Sequence, residues 1–253
     1  MQTAFQTANH IWLAWLGYGL GLPLLGGLLL AGLSHQCKKL IVTLFGWQAQ
    51  IYGGGLGVML HELSHLLVAL LFGHQIVDFQ LLVPPWKLNP QAEGQALGYV
   101  VHQGKNNWWS KAGNVFIGLA PLFGGTLVLW LITHFGWPEL AQFEQHLLTG
   151  ATAPSTLLPT HWGRWGIWLL LTLQIAIGGF DLSPADYQNA SAGVVTLLIG
   201  LYGFSWLGAL LGFGGTLQQV AQQWGILALG WLGSALLVLL VVTGLLTLLN
   251  GHR

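Results

Sequence analysis

"GVMLHELSHLLVALLFGHQI" (residues 57–76) is an apolar run that carries His61, Glu62 and His65 in its middle. Its length suits a helix that crosses a bilayer, and ionisable groups are expensive there, so these three residues call for a chemical reason. The composition supports the membrane reading. Asp, Glu, Lys and Arg together make up only 6% of the 253 residues. Soluble domains are about one-quarter charged, so most of this surface has lipid as its expected solvent. Formal net charge is +0, which argues against a nucleic-acid partner. The single cysteine, Cys37, excludes an internal disulfide framework and a cysteine-rich metal site, and is expected to be an inert thiol near a helix end.

Working outward, the chain reads as one integral membrane domain, all-α and polytopic, with about six transmembrane helices. The spans lie at roughly 11–33, 51–73, 112–135, 165–180, 190–213 and 226–249. No Lys or Arg precedes Lys38, whereas a cleavable secretory signal opens on a basic region, so the first run is expected to be a permanent helix. Segment 34–50 reads as an interfacial helix or an extension of the second span. "QIVDFQLLV" (75–83) and "QALGYVVHQ" (95–103) read as two strands around a turn-rich break, a small membrane-associated β-hairpin after the motif helix. At membrane depth such a hairpin is tolerated only against protein or along a cavity. Segment 136–164, with Pro138, Pro154 and Pro159, reads as an exposed loop. Gly17 and Gly21, Gly53 and Gly57, and Gly208 and Gly212 stand four apart, a spacing that lets helices pack closely in lipid. Orientation is weakly encoded. With the N-terminus inside, Lys87, Lys105, Lys111 and Arg253 collect on the cytoplasmic side against Lys38, Lys39 and Arg164 on the other.

"HELSH" (61–65) is a His-Glu-x-x-His motif. Residues four apart share a helix face, so His61 and His65 can offer imidazole nitrogens to one metal ion. Glu62, beside the first ligand, is placed as general base: the zincin arrangement. Zn2+ there would polarise a scissile carbonyl and lower the pKa of water to about 7. Catalytic zinc normally has three protein ligands. His74 has the wrong spacing for the third and is expected to be a solvated loop histidine. Topology favours "GGFDLSPADYQNA" (178–190), because two further crossings return the chain to the face of the histidine pair. Ser183, Pro184 and Asp186 look like a helix start, with Ser at the N-cap, Pro at N1 and an acid at N3. Asp186 is then either a simple cap or the third ligand, held on a rigid first turn. Asp181 is the reserve. Asn114 is read as a hydrogen-bonding residue, toward substrate or between helices. His102 and Asn107 are read as ordinary loop residues, and Trp108, Trp109, Trp162 and Trp165 as interfacial anchors.

"HELSHLLVALLFGHQIVDF" (61–79) resembles the site-2 protease family of intramembrane zinc metallopeptidases. "GNVFIGLAPLFGG" (113–125) looks like that family's small-residue segment at the start of the next helix. "DLSPAD" (181–186) is similar to its second ligand motif, with Asp181 where the family has Asn and Tyr187 where it has Gly. The resemblance covers a core of roughly 51–190, flanked by helices 11–33 and 226–249. It implies a zinc metalloendopeptidase that hydrolyses peptide bonds in or near membrane-spanning segments of a membrane-protein or peptide substrate. His61, His65 and Asp186 would bind zinc and Glu62 would be catalytic. It also implies a bacterial cytoplasmic membrane, with the site near the cytoplasmic face. The rival expectations are an inactive member acting as a membrane scaffold or regulator, and an ion or proton transporter that uses the same His/Glu site.

Overall fold

The computed structural model describes residues 2–87, 95–150 and 152–251. Its elements run α1 (Gln2–Ala14), a π-helical stretch (Trp15–Gly21), α2 (Leu22–Phe45), α3 (Ala49–Leu71), β1 (Gln75–Gln80) and β2 (Tyr99–Gln103), then α4 (Trp108–Gly136), α5 (Pro138–Thr149), α6 (Trp162–Gly178), α7 (Pro184–Leu210) and α8 (Gly214–Gly251). The architecture is helical, with one small antiparallel hairpin. In it Gln75 faces Gln103 and Gln80 faces Tyr99, with an irregularity between Ile76 and Asp78. Most of the turn between the two strands, 88–94, lies outside the described residues.

Among the described residues five helices are long and apolar enough to cross a membrane: Thr3–Phe45, α3, α4, α7 and α8. The expected fourth span is α6, which at 17 residues is short. Its chain leaves helical geometry at Gly179 and stays irregular to Ser183. Segment 34–45 continues the first helix, rather than forming an interfacial helix or extending the second span. Lys38 and Lys39 do not stop it because Lys is a good helix former, and the stop comes at Gly46, whose φ is +86°. The π-helical stretch is matched to a neighbour: Trp224 donates its indole N–H to the Gly19 carbonyl at 3.1 Å.

The burial pattern of α7 is the reverse of a soluble helix. Its buried residues are Asp186, Ala190, Gly193, Ser205 and Gly208. Val195, Ile199 and Leu210 are each more than 60% exposed. A helix that turns small and polar residues inward and large apolar ones outward has its outer face suited to lipid.

Glycines set the helix contacts, though not all in the expected pairs. A Cβ on Gly57 would strike the Gln174 carbonyl, and one on Gly54 would lie 2.9 Å from Ile177 and 3.0 Å from the Gly178 nitrogen. So the α3–α6 seam uses Gly54 and Gly57, whereas Gly53 meets only ordinary contact with Ile41. Gly17 faces open space, and Gly212 is a left-handed turn residue with φ +79°. On α4, Gly113 lies under Phe72, Gly118 under the Asp186 carbonyl and Ala190, and Gly125 under the Phe180 ring. The small-residue segment thus brings α3, α7 and the 179–183 loop onto one helix.

Part of the expected exposed loop 136–164 is helical instead, as α5. Pro138 sits in its first turn, where a missing N–H costs nothing, and Gly150 closes it at φ +67°. Glu139 accepts from the Thr160 amide at 2.8 Å and ties the following loop back. The buried Glu144 carboxylate accepts from Trp231 Nε1 at 2.6 Å. Of the tryptophans read as anchors, Trp108 and Trp162 are largely exposed, while their neighbour Trp168 is buried and donates to Thr133 Oγ1 at 3.0 Å.

Burial pushes Glu144 up to about 7, against the lowering effect of the Trp231 hydrogen bond. A raised folded-state pKa means the folded protein holds this proton more tightly than the unfolded chain does. Its contribution to stability is therefore fully present below the ordinary glutamate value and lost as pH rises through about 7. The unfolding temperature in detergent is expected to fall between about pH 5 and about pH 8, and Glu144→Gln to remove that part of the fall. An unchanged pH dependence in the variant would assign the effect to other groups.

Candidate metal centre

The buried residues of α3 include Gly54, Gly57, Val58, His61, Ser64 and His65, a stripe at three- and four-residue spacing along one face. The motif histidines therefore point into the bundle. Leu63, Leu67 and Leu71 lie on the exposed side.

Each histidine is oriented by a carbonyl that has no helical donor. His61 Nδ1–H donates to the Gly179 carbonyl at 3.1 Å. Gly179 is the C-cap of α6, where helix carbonyls run out of intrahelical partners. His65 Nδ1–H donates to the Ile117 carbonyl at 2.7 Å. Residue 121, four positions on in α4, is Pro121, which has no N–H to offer that carbonyl. With both Nδ1 atoms engaged as donors, the neutral rings carry their lone pairs on Nε2, and the two Nε2 atoms lie 3.1 Å apart.

Asp186 completes the group. Its carboxylate is 3.0 Å from His65 Nε2 and 3.6 Å from His61 Nε2. Its position comes from the start of α7. Ser183 N donates to Asp186 Oδ2 at 2.7 Å, and Asp186 N donates to Ser183 Oγ at 3.2 Å, a reciprocal capping box. The simple-cap reading and the ligand reading are thus both satisfied by one side chain. All three residues are buried, and their ligand atoms lie within 4.8 Å of one another. Two bare imidazole nitrogens and a carboxylate, each backed by an outer hydrogen bond, form a donor set suited to a divalent metal such as zinc. Without a metal, a proton on His65 Nε2 would be needed to bridge it to Asp186 at 3.0 Å.

Asp181, the reserve ligand, is elsewhere. It accepts from Lys38 Nζ at 3.0 Å and lies 3.5 Å from His35 Nδ1. This ion pair, with the Ser34 hydroxyl donating to the Ile177 carbonyl at 2.6 Å, fastens α2 to the end of α6. Glu62 is half-buried and makes no hydrogen bond to a described residue. It lines a cavity of about 580 Å³ with His61, His65, Asp186 and the chain from Gln95 to Val100. Gly98 lies directly against it: a Cβ there would be 2.6 Å from Glu62 Cγ and 2.7 Å from the Leu81 carbonyl. The approach to β2 thus passes over the glutamate. Asn114 is not among the residues that line this cavity.

Three residues of the hairpin region differ from expectation. His74 is buried rather than solvated, and lies 2.9 Å from both His102 Nδ1 and the Ser110 carbonyl. His102 is on β2 and lines the cavity. Burial and the neighbouring His74 and His65 hold its pKa below the usual histidine range. Asn107 is the N-cap of α4, accepting from Ser110 N at 2.8 Å. The sequence signal for Asn107 was its place before "WWS", three residues ahead of the amide it caps. No local signal marks His74, since its partners come from β2 and α4.

No family model, curated protein or solved structure matches this chain.

Proposed function

We propose that this protein is an intramembrane zinc metalloendopeptidase of site-2 protease type, cutting peptide bonds in or near membrane-spanning segments. The observation that carries the reading is the convergence of one ligand atom each from His61, His65 and Asp186, beside a glutamate that makes no hydrogen bond to a described residue and lines the same cavity. A glutamate used only for packing would not require two histidines whose Nε2 atoms converge beside it on a carboxylate. A bacterial cytoplasmic membrane is the setting that the resemblance suggests.

His61, His65 and Asp186 would hold the metal, which supplies Lewis acidity and lowers the pKa of water to about 7. The Gly179 and Ile117 carbonyls keep the two imidazoles in the tautomer that leaves Nε2 free. Glu62 takes the proton of the attacking water and delivers it to the departing amine, acting first as base and then as acid. The chain from Gln95 to Val100 and the start of α7 wall the cavity beside that carboxylate. A substrate helix must unwind locally to enter, because a helical carbonyl is already hydrogen-bonded.

The test is cleavage in a defined system. Purified protein in liposomes, with a single-span reporter carrying a helix-breaking pair in its span, is expected to cut within or beside that span. Chelation is expected to stop the cut and added zinc to restore it. A zinc-loaded, folded protein that leaves such reporters intact, yet moves protons or ions across the liposome membrane, would replace the peptidase reading with the transport one.

A further inference from the structure

We infer that His102, held by His74, is a substrate-positioning residue whose Nε2 accepts a backbone N–H of an extended peptide within about four residues of the bond that is cut. The inference rests on the peptidase reading for the nature of the ligand.

The tautomers follow from the partners. His74 Nε2 lies 2.9 Å from the Ser110 carbonyl, which can only accept, so this nitrogen carries the proton. His74 Nδ1 is then the lone-pair nitrogen. His102 Nδ1, 2.9 Å away, must donate to it. That leaves His102 Nε2 without a proton and without a hydrogen bond to any described residue. The whole chain of bonds is anchored in the first turn of α4, where Ser110 is fixed by the Asn107 cap and accepts the Lys105 amide at 2.9 Å. His74 is buried, so its orientation is set by packing as well as by bonding. A neutral His102 is consistent with the depressed pKa described above.

Placement supplies the role. Side chains alternate along a strand, so Val100 and His102 share one face of β2, and both line the cavity together with Gly98 in the bend just before the strand. Gly98 is the residue in contact with Glu62. At about 3.3 Å per residue of extended chain, His102 stands no more than about 13 Å from Gly98, where the chain crosses Glu62. An extended peptide lying along this face, with its scissile bond at Glu62, places a residue no more than about four positions away against His102. The group it meets there is a bare acceptor, and every non-proline residue of a peptide carries one backbone donor.

The experiment measures binding rather than cleavage. Zinc-loaded Glu62→Gln protein in detergent is titrated into a fluorescein-labelled apolar 12-residue peptide, and into copies N-methylated at one amide each. One N-methylation is expected to weaken binding about three- to tenfold, the size of one neutral hydrogen bond. Adding His102→Phe is expected to weaken the parent peptide by the same factor and to cost nothing further with that one N-methyl peptide. His102→Gln, which keeps an acceptor near the Nε2 position, is expected to recover most of the affinity. Zinc content stays unchanged in all of them. Should His102→Phe fail to fold, His102→Asn keeps the bond to His74, lacks only Nε2, and carries the same comparison. Additive losses at every N-methyl position, an unaltered affinity in His102→Phe, or no binding of the parent peptide would each overturn the inference. A peptide that binds with this signature but is never cut by the wild-type protein would instead count against the peptidase reading and leave the His102 contact standing.

Discussion

His65→Ala and Asp186→Ala are expected to lose zinc, falling from about one ion per chain to a small fraction of that, while Asp181→Ala retains it. The contrast follows from geometry. Asp186 stands 3.0 Å from His65 Nε2, inside the ligand group, whereas Asp181 is spent on Lys38. Removing one of three ligands leaves two, which is too few for a tight catalytic site. Asp186→Ala also removes half of the capping box of α7, so some stability is lost with the metal, about 1 kcal/mol on the scale of such caps. Asp186→Asn separates the two effects, because an amide oxygen can still accept from the Ser183 amide while the negative charge is gone. Metal analysis of the purified variants in detergent, with melting curves alongside, gives the answer. Asp181→Ala losing zinc while Asp186→Ala keeps it would reverse the assignment. No zinc in any folded form, even when it is supplied, would remove the basis for a peptidase and leave a scaffold or transport role.

Glu62→Gln is expected to keep its zinc and its fold while cleavage falls by about 10²- to 10⁴-fold, the usual worth of a general acid–base group. The amide has nearly the same shape, so the contact with Gly98 is undisturbed. What disappears is the capacity to take and return a proton. Glu62 also makes no hydrogen bond to a described residue, so its replacement breaks no bond within the described fold. Single-turnover cleavage of the same liposome reporter, with metal content measured on the same sample, checks both halves. A zinc-loaded Glu62→Gln protein with wild-type cleavage would exclude Glu62 as the base. Loss of zinc together with activity would make Glu62 part of the metal site instead.

The parts of this site differ in how far they could be read before folding. His61 and His65 were legible because four-residue spacing on a helix is a local property: any helix over 57–71 puts them on one face. The start of α7 was legible for the same reason, since Ser183, Pro184 and Asp186 interact within one turn. The two hairpin strands also announced themselves, by β-forming residues beside turn formers. Local rules misled where a residue has two meanings. Pro138 reads as part of an exposed loop and sits in the first turn of a helix. Lys38 and Lys39 suggested an interface and sit inside a continuous helix.

By itself, then, the sequence determined a helical, lipid-suited chain with a two-histidine pair, an adjacent glutamate and a capped acidic helix start. Tertiary structure alone decided which aspartate meets the histidines, because residues more than 100 positions apart are brought together by packing that no local pattern encodes. It also decided the tautomers. Pro121 frees the Ile117 carbonyl for His65, and the end of α6 offers the Gly179 carbonyl to His61. The same is true of His74, a loop residue by spacing and a buried link between α4 and β2 by contact. The physical reason is common to all of these. Helix periodicity and caps act within a few residues, whereas the buried lone pairs and protons of a site find partners only once the backbone has brought distant segments within about 3 Å.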